Sequence, residues 1–176
     1  MEQTGLKNPT TAWIITAVVI IAGLFIGTFL SFNSQRNMAG DVFEAQVQPV
    51  IHRAMEFAFN IQTIAGRYLP MSDMERIAIS SIVEDIREAD DERDIFDHYV
   101  QLNRAVWAIY DRLSGIEMSP ENRGLHARYH SNFMEQDLRL SQSPFNRYAE
   151  EFNETLDSGL GFIVRPVINH LPRFDN

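Results

Sequence analysis

Five histidines and a dense group of carboxylates are the side chains here that could bind a metal or move a proton. His126 and His130 stand at i and i+4, a spacing at which two imidazoles on one helix face can share zinc or nickel. Between them lie Ala127, Arg128 and Tyr129, so there is no H-E-x-x-H arrangement, and Arg128 disfavours a cation. The pattern reads as two histidines on a half-exposed helix face. A di-iron carboxylate site would need Glu-x-x-His on two helices. The positions three before each histidine hold Pro49, Ile95, Arg123, Ala127 and Val167, none of them acidic. Between Glu84 and Asp97 lies an acidic run, EDIREADDERDIFD. An EF-hand loop would need Gly sixth and Glu twelfth, but counting from Asp90 those positions are Ile95 and Gln101. Acids in the first turn of a helix favour its dipole, so the run reads as a solvated corner between helices. There is no glycine-rich phosphate loop and no G-x-S-x-G. Without cysteine, thiolate metal sites, disulfides and cysteine nucleophiles are excluded. The expectation is therefore no cofactor, no metal and no catalytic residue.

A formal charge of −9 argues against nucleic acid as a partner, because the phosphate backbone needs a basic patch and the arginines here are scattered singly. With 45% hydrophobic and 22% charged residues, the chain can bury a core.

These residues must be positioned by something, and the first element is apolar. No residue from Asn8 to Gln35 is charged, and Ala12–Phe32 reads AWIITAVVIIAGLFIGTFLSF. That length of helix matches a hydrocarbon core of about 30 Å, with Trp13 placed as an interfacial anchor. A cleavable leader would want a basic start, a shorter apolar stretch and an A-x-A site; MEQTGLKNPTT is not basic and no such site comes after the apolar run. The segment is read as one retained membrane span, in contact with lipid. Lys7 on one side against Arg36 and Arg53 on the other leaves the orientation open. Gly23 and Gly27 form a GxxxG that could let two spans pack as a homo-oligomer.

Past the span the apolar residues repeat every four and three positions. Phe43, Val47, Val50, Ala54, Phe57, Ile61, Ile64 and Tyr68 make a heptad seam of coiled-coil type. Pro49 lies inside it, so a kink is expected there, with Gln48 pushed from helical angles. Ser72-Asp-Met-Glu75 reads as a capping box for a second helix bearing Ile79, Ile82, Val83 and Ile86. Ile95, Tyr99, Leu102, Val106, Ile109 and Leu113 give a third helix, ended by Gly115. Ser119-Pro120 starts a fourth, interrupted at Ser143-Pro144 and resumed by Phe145, Ala149, Phe152 and Leu156. The predicted class is all-α: an N-terminal transmembrane helix, then an up-and-down four-helix bundle whose fourth helix bends near Pro144. The boundaries are a short tail at 1–11, the span at 12–32, the bundle at 36–157 and an irregular segment at 158–176.

Two stretches carry a family resemblance. Val47–Tyr68, VQPVIHRAMEFAFNIQTIAGRY, resembles the LemA family's V-x-x-x-x-x-R-R-x-D-L-I-P-N-L-V-x-x-V-x-x-Y, with Arg53, Glu56, Phe57, Asn60 and Ile61 in register. Glu135–Asn153, EQDLRLSQSPFNRYAEEFN, is similar to its E-x-x-I-x-x-A-R-x-x-Y-N-x-x-V-x-x-Y-N, with Phe145, Asn146, Phe152 and Asn153 aligned. Phe59 stands where that family has proline, Ala54 where its second arginine belongs, and Gln142 where arginine precedes the first Y-N pair. The resemblance implies a bacterial, membrane-anchored four-helix bundle and no particular reaction.

The function expected is a scaffold or protein-interaction module without catalysis. The alternative is a membrane-tethered sensor or enzyme domain holding a small ligand or metal between its helices. Arg53, Glu56 and Asn60 share one flank of the first bundle helix, and Asn146 and Asn153 one flank of the last. This spacing predicts a hydrogen-bonded polar layer where those two helices meet. The heptad stripes are separate from the span, so removing residues 1–35 is expected to leave a soluble, strongly helical domain, as circular dichroism would report.

Overall fold

The structure is a computed structural model that describes residues 9–174. No strand occurs among them. The elements are α1 (Pro9–Val42), a π turn (Phe43–Val47), α2 (Gln48–Ala65), α3 (Met74–Glu88), α4 (Glu92–Ser114), α5 (Pro120–Ser141), α6 (Pro144–Asp157) and a 3-10 turn (Gly161–Ile163). The chain divides into two compact units: the helix up to Met38 with Glu151–His170, and Ala39–Glu150 with the residues from Leu171.

In the first unit, the helix is long and apolar enough to cross a membrane. Its large apolar side chains from Trp13 to Leu30 face outward, apart from the half-buried Phe29. Phe32 is the exception. It is buried, and its ring meets Phe152 edge-on, with centroids 5.8 Å apart. The surfaces of the apolar helix and of the stripe are therefore not fully separate. A cut after residue 35 uncovers Phe152, so the truncated domain should stay helical but gain a tendency to self-associate, which sedimentation or size-exclusion would report.

In the second unit, Pro49 is absorbed by the π turn. The Gln48 N–H donates to Phe43 O, five residues back, and Gln48 keeps helical angles (φ −56°, ψ −43°). This corrects the expected distortion at Gln48: the wider turn relieves the proline ring's clash with the preceding turn. It also shifts part of the seam. One extra residue in a turn rotates the rest of the helix by about 100°; Ala54, Ile61 and Ile64 are buried as expected, and Ile51, Met55 and Ala58 join them. Val50 and Phe57, expected in the core, are only half-buried.

Helix starts obey their capping chemistry. Asp73, rather than Ser72, caps α3, accepting from the Arg76 N–H at 3.1 Å. Asp91 caps α4 and Ser119 caps α5, the latter with Pro120 in the first turn. Ser143 Oγ accepts the Phe145 N–H at 3.2 Å, so the expected bend near Pro144 is a full break between α5 and α6. Helix α2 packs mainly on α5, and α3 on α4, with lesser contacts of α2 to α3 and α4.

Asp73 does two jobs. Besides its cap it forms an ion pair with Arg112 at the end of α4, which also reaches Glu75 at 2.8 Å. The Asp73 side chain is 1% exposed, so its charge relies on that partner. Asp73→Ala should cost about 1–2 kcal/mol in denaturation of the detergent-solubilised protein, and Asp73→Asn, which keeps a cap acceptor, clearly less. Equal losses for both would assign the whole effect to the ion pair.

Candidate functional site

Three places in the second unit gather polar side chains over apolar ones. The largest is a groove of about 800 Å³ between α2 and α3. Buried Met55 and Val83 form its floor. From α2 it receives His52, Glu56, Phe59 and Asn60, and from α3 Ser80, Glu84 and Arg87. Phe59 is 55% exposed there, a large apolar surface with a polar rim. Toward the start of α3, Gln62 Nε2 donates to Arg76 O and to Ser80 Oγ, each at 2.6 Å, tying the two helices together. Arg87 pairs with Glu84 at 3.4 Å, an exposed contact that can open at little cost.

The second place is a cavity of about 220 Å³ beside Asp137. Asp137 Oδ1 accepts from Tyr99 OH at 3.1 Å and from Asn103 Nδ2 at 2.9 Å. Burial, reinforced by the neighbouring carboxylate, pushes the Tyr99 phenol well above its ordinary range, so it stays protonated and acts as a donor. Spacing alone places Tyr99 in the apolar seam, and nothing in the sequence ties its hydroxyl to a residue 38 positions away.

The third is the histidine pair, and here the half-exposed face is corrected. His126 and His130 are buried, 4% and 8% exposed. Both stack on Tyr110, with centroids 5.2 and 3.7 Å away, and the Trp107 edge closes on His130 at 4.8 Å. Those aromatics come from α4 and cover a face that looks polar in the sequence of α5. Neither Nε2 has a hydrogen-bond partner. A cavity of about 420 Å³ beside His126 is also lined by Tyr110 and Arg123. Among the described residues no three His, Asp or Glu side chains are placed to hold a metal.

The positions singled out in sequence scatter. Glu56 and Asn60 face the α2–α3 groove, while Arg53 is exposed outside its lining. Phe145 is fully buried against Phe43, with centroids 5.3 Å apart. Asn146 is buried, but its partners are local. It donates to Leu140 O and Ser141 O at 2.9 Å each, and its Oδ1 accepts the Phe174 N–H at 2.8 Å. The start of the last helix thus meets the π turn through rings, and the amide serves the α5–α6 break instead of the expected polar layer. Phe152 and Asn153 belong to the first unit. Gly23 and Gly27 have open space over them: a Cβ at either would meet nothing within 4 Å.

No family model, curated protein or solved structure matches this chain.

Burial lowers the affinity of both histidines for a proton, and Asp111 only partly opposes this at His130. A base whose folded pKa lies below its unfolded value of 6.5 destabilises the fold as pH falls through that value, because the unfolded chain takes up the protons first. The melting temperature should therefore drop between about pH 7 and about pH 5. It should drop less in the double variant His126→Leu, His130→Leu. An equally steep decline in the variant would place the titration elsewhere.

Proposed function

We propose that this chain is a LemA-like, single-pass protein of a bacterial membrane that acts as a scaffold, seating an amphipathic helix of a partner protein in the α2–α3 groove. The observation that carries the reading is the groove itself. It has an apolar floor, an exposed phenylalanine and a charged rim, the features by which a groove takes a helix's apolar stripe. Glu56 and Asn60, two of the positions shared with the family pattern, line it. Glu56 and Glu84 on its rim favour basic residues flanking the partner's stripe.

The soluble part is proposed as an up-and-down four-helix bundle of α2–α5, with α6 continuing beyond the break. Contacts at helix ends support the alternation. The end of α2 is tied to the start of α3 by Gln62, and the end of α4 to the start of α3 by Arg112. Arg67 and Tyr68, past the end of α2, meet Asn122 at the start of α5 at 2.6 Å each.

The second reading, a tethered sensor, draws on the cavity lined by His126 and Arg123, two polar side chains of the kind that would orient a small ligand.

A photo-crosslinking residue in place of Ser80, in the full chain in native membranes, separates the two. One discrete protein adduct is expected, lost on Phe59→Asp and kept in His126→Leu. An adduct that survives Phe59→Asp, or none at all, overturns the groove. An adduct with a second copy of the chain would make the scaffold a homo-oligomer.

A further inference from the structure

In the unit formed by the N-terminal helix and Glu151–His170, the segment after α6 lies alongside the apolar run. Phe152 meets Phe32 at the end of that run. Beyond this contact, a gap of about 510 Å³ has Gly23, Gly27 and Ser31 on one wall and Thr155, Ser158 and Leu160 on the other. With a rise of about 1.5 Å per residue, Gly27 lies about 8 Å and Gly23 about 13 Å inward from Phe32. The chain reversal at Ser158–Gly161 therefore flanks the half of the apolar helix that ends at Phe32.

Its side chains suit that place. Leu160, Phe162 and Val167 are 52%, 66% and 60% exposed, next to a helix whose own apolar residues face outward. Its backbone suits it too, since polar groups that enter a low-dielectric layer must be paired. Gly161 N–H donates to Ser158 O, Ile163 N–H to Leu160 O, Val164 N–H to Gly161 O and Ile168 N–H to Val164 O, all within 3.1 Å. Asp157 receives Arg165 at 3.3 Å and the His170 ring at 3.0 Å. The reversal is built on glycine. Gly159 has φ +56°, and a Cβ on Gly161 would collide with the backbone oxygens of Thr155 and Leu156.

We infer that Ser158–Ile168 is a second membrane-contacting element, a foot that sinks Leu160, Phe162 and Val167 into the headgroup–acyl boundary of the bilayer crossed by the N-terminal helix. The inference rests on reading that helix as a span. Lipid is the occupant because the patch starts at Leu160, which faces Gly23 and Gly27 of the apolar run across the gap, and because an exposed apolar cluster beside a span is the surface that the headgroup–acyl boundary receives.

The chain has no cysteine, so one introduced thiol reports one place. Spin labels would be attached to Phe162→Cys, Val167→Cys, Val19→Cys within the span and Glu117→Cys on an exposed turn. The full chain would sit in vesicles of phosphatidylcholine and phosphatidylglycerol. Collision with oxygen and with a water-soluble nickel complex then gives depth. The labels at 162 and 167 should show an oxygen-to-nickel ratio several-fold above that at 117 and below that at 19. An aqueous ratio at 162 and 167 with a lipid ratio at 19 overturns the foot while leaving the span intact. An aqueous ratio at 19 overturns the span reading, and the foot with it. Labels at 162 and 167 shielded from both reagents would mean protein packing and overturn the foot.

Discussion

Pro49 has no amide hydrogen to continue the helix, and its ring crowds the turn before it. Everything in the second unit adjusts to that constraint. The π turn at Phe43–Val47 takes up one additional residue, keeps Gln48 helical and lets the chain run on as one helix to Ala65. The rotation turns Ile51, Met55 and Ala58 inward, where α2 meets α5 and α3. Val50 and Phe57 move toward the surface. With Met55 on its floor and Glu56, Phe59 and Asn60 on its wall, the groove beside α3 inherits its lining from the same rotation.

The turn also aims Phe43 at an aromatic cluster. Phe43 meets Phe145 at 5.3 Å, and Phe174 lies between 4.9 and 6.3 Å from Phe43, Phe96, Tyr99 and Phe145. Rings at such separations and mostly steep angles gain edge-to-face attraction in addition to burial. Phe174 is far in sequence from its neighbours, and Asn146 holds it by accepting its backbone N–H. The same amide adds a donor to two carbonyls where α5 ends, Ser141 O and Leu140 O, the latter also accepting the Ser143 N–H at 3.1 Å. One buried asparagine thus caps one helix and docks a distant stretch of chain, a double role that explains its 7% exposure.

Acidity and burial divide the surface from the interior in a consistent way. The carboxylates between α3 and α4 stay at the solvated corner, where Asp91 caps and Glu92 and Asp94 lie in the first turn of α4. Asp73 and Asp137 are drawn inward only where Arg112, Tyr99 and Asn103 meet them. His126 and His130 enter the interior neutral and stack on a ring, which needs no counter-charge but leaves each Nε2 unpaired. Their burial, which disfavours the protonated form, makes the helix pair sensitive to acid.

Sequence by itself determined the helical class, the apolar N-terminal helix, and most helix starts and stops. These depend on local chemistry: uncharged length, periodicity of three and four, Ser119-Pro120 and Gly115. It also selected Glu56 and Asn60, which line the groove. It missed the choice of Asp73 over Ser72 by one residue, because both types can cap and the ion pair with Arg112 favours the aspartate. The π turn was illegible because a heptad count assumes constant winding, and the remedy for Pro49 lies in how the preceding turn widens. Only tertiary structure decided that the histidines are buried, that Asn146 bonds to Phe174, and that Phe32 needs Phe152. Each of these depends on side chains brought together from elements that periodicity orients only within their own helix.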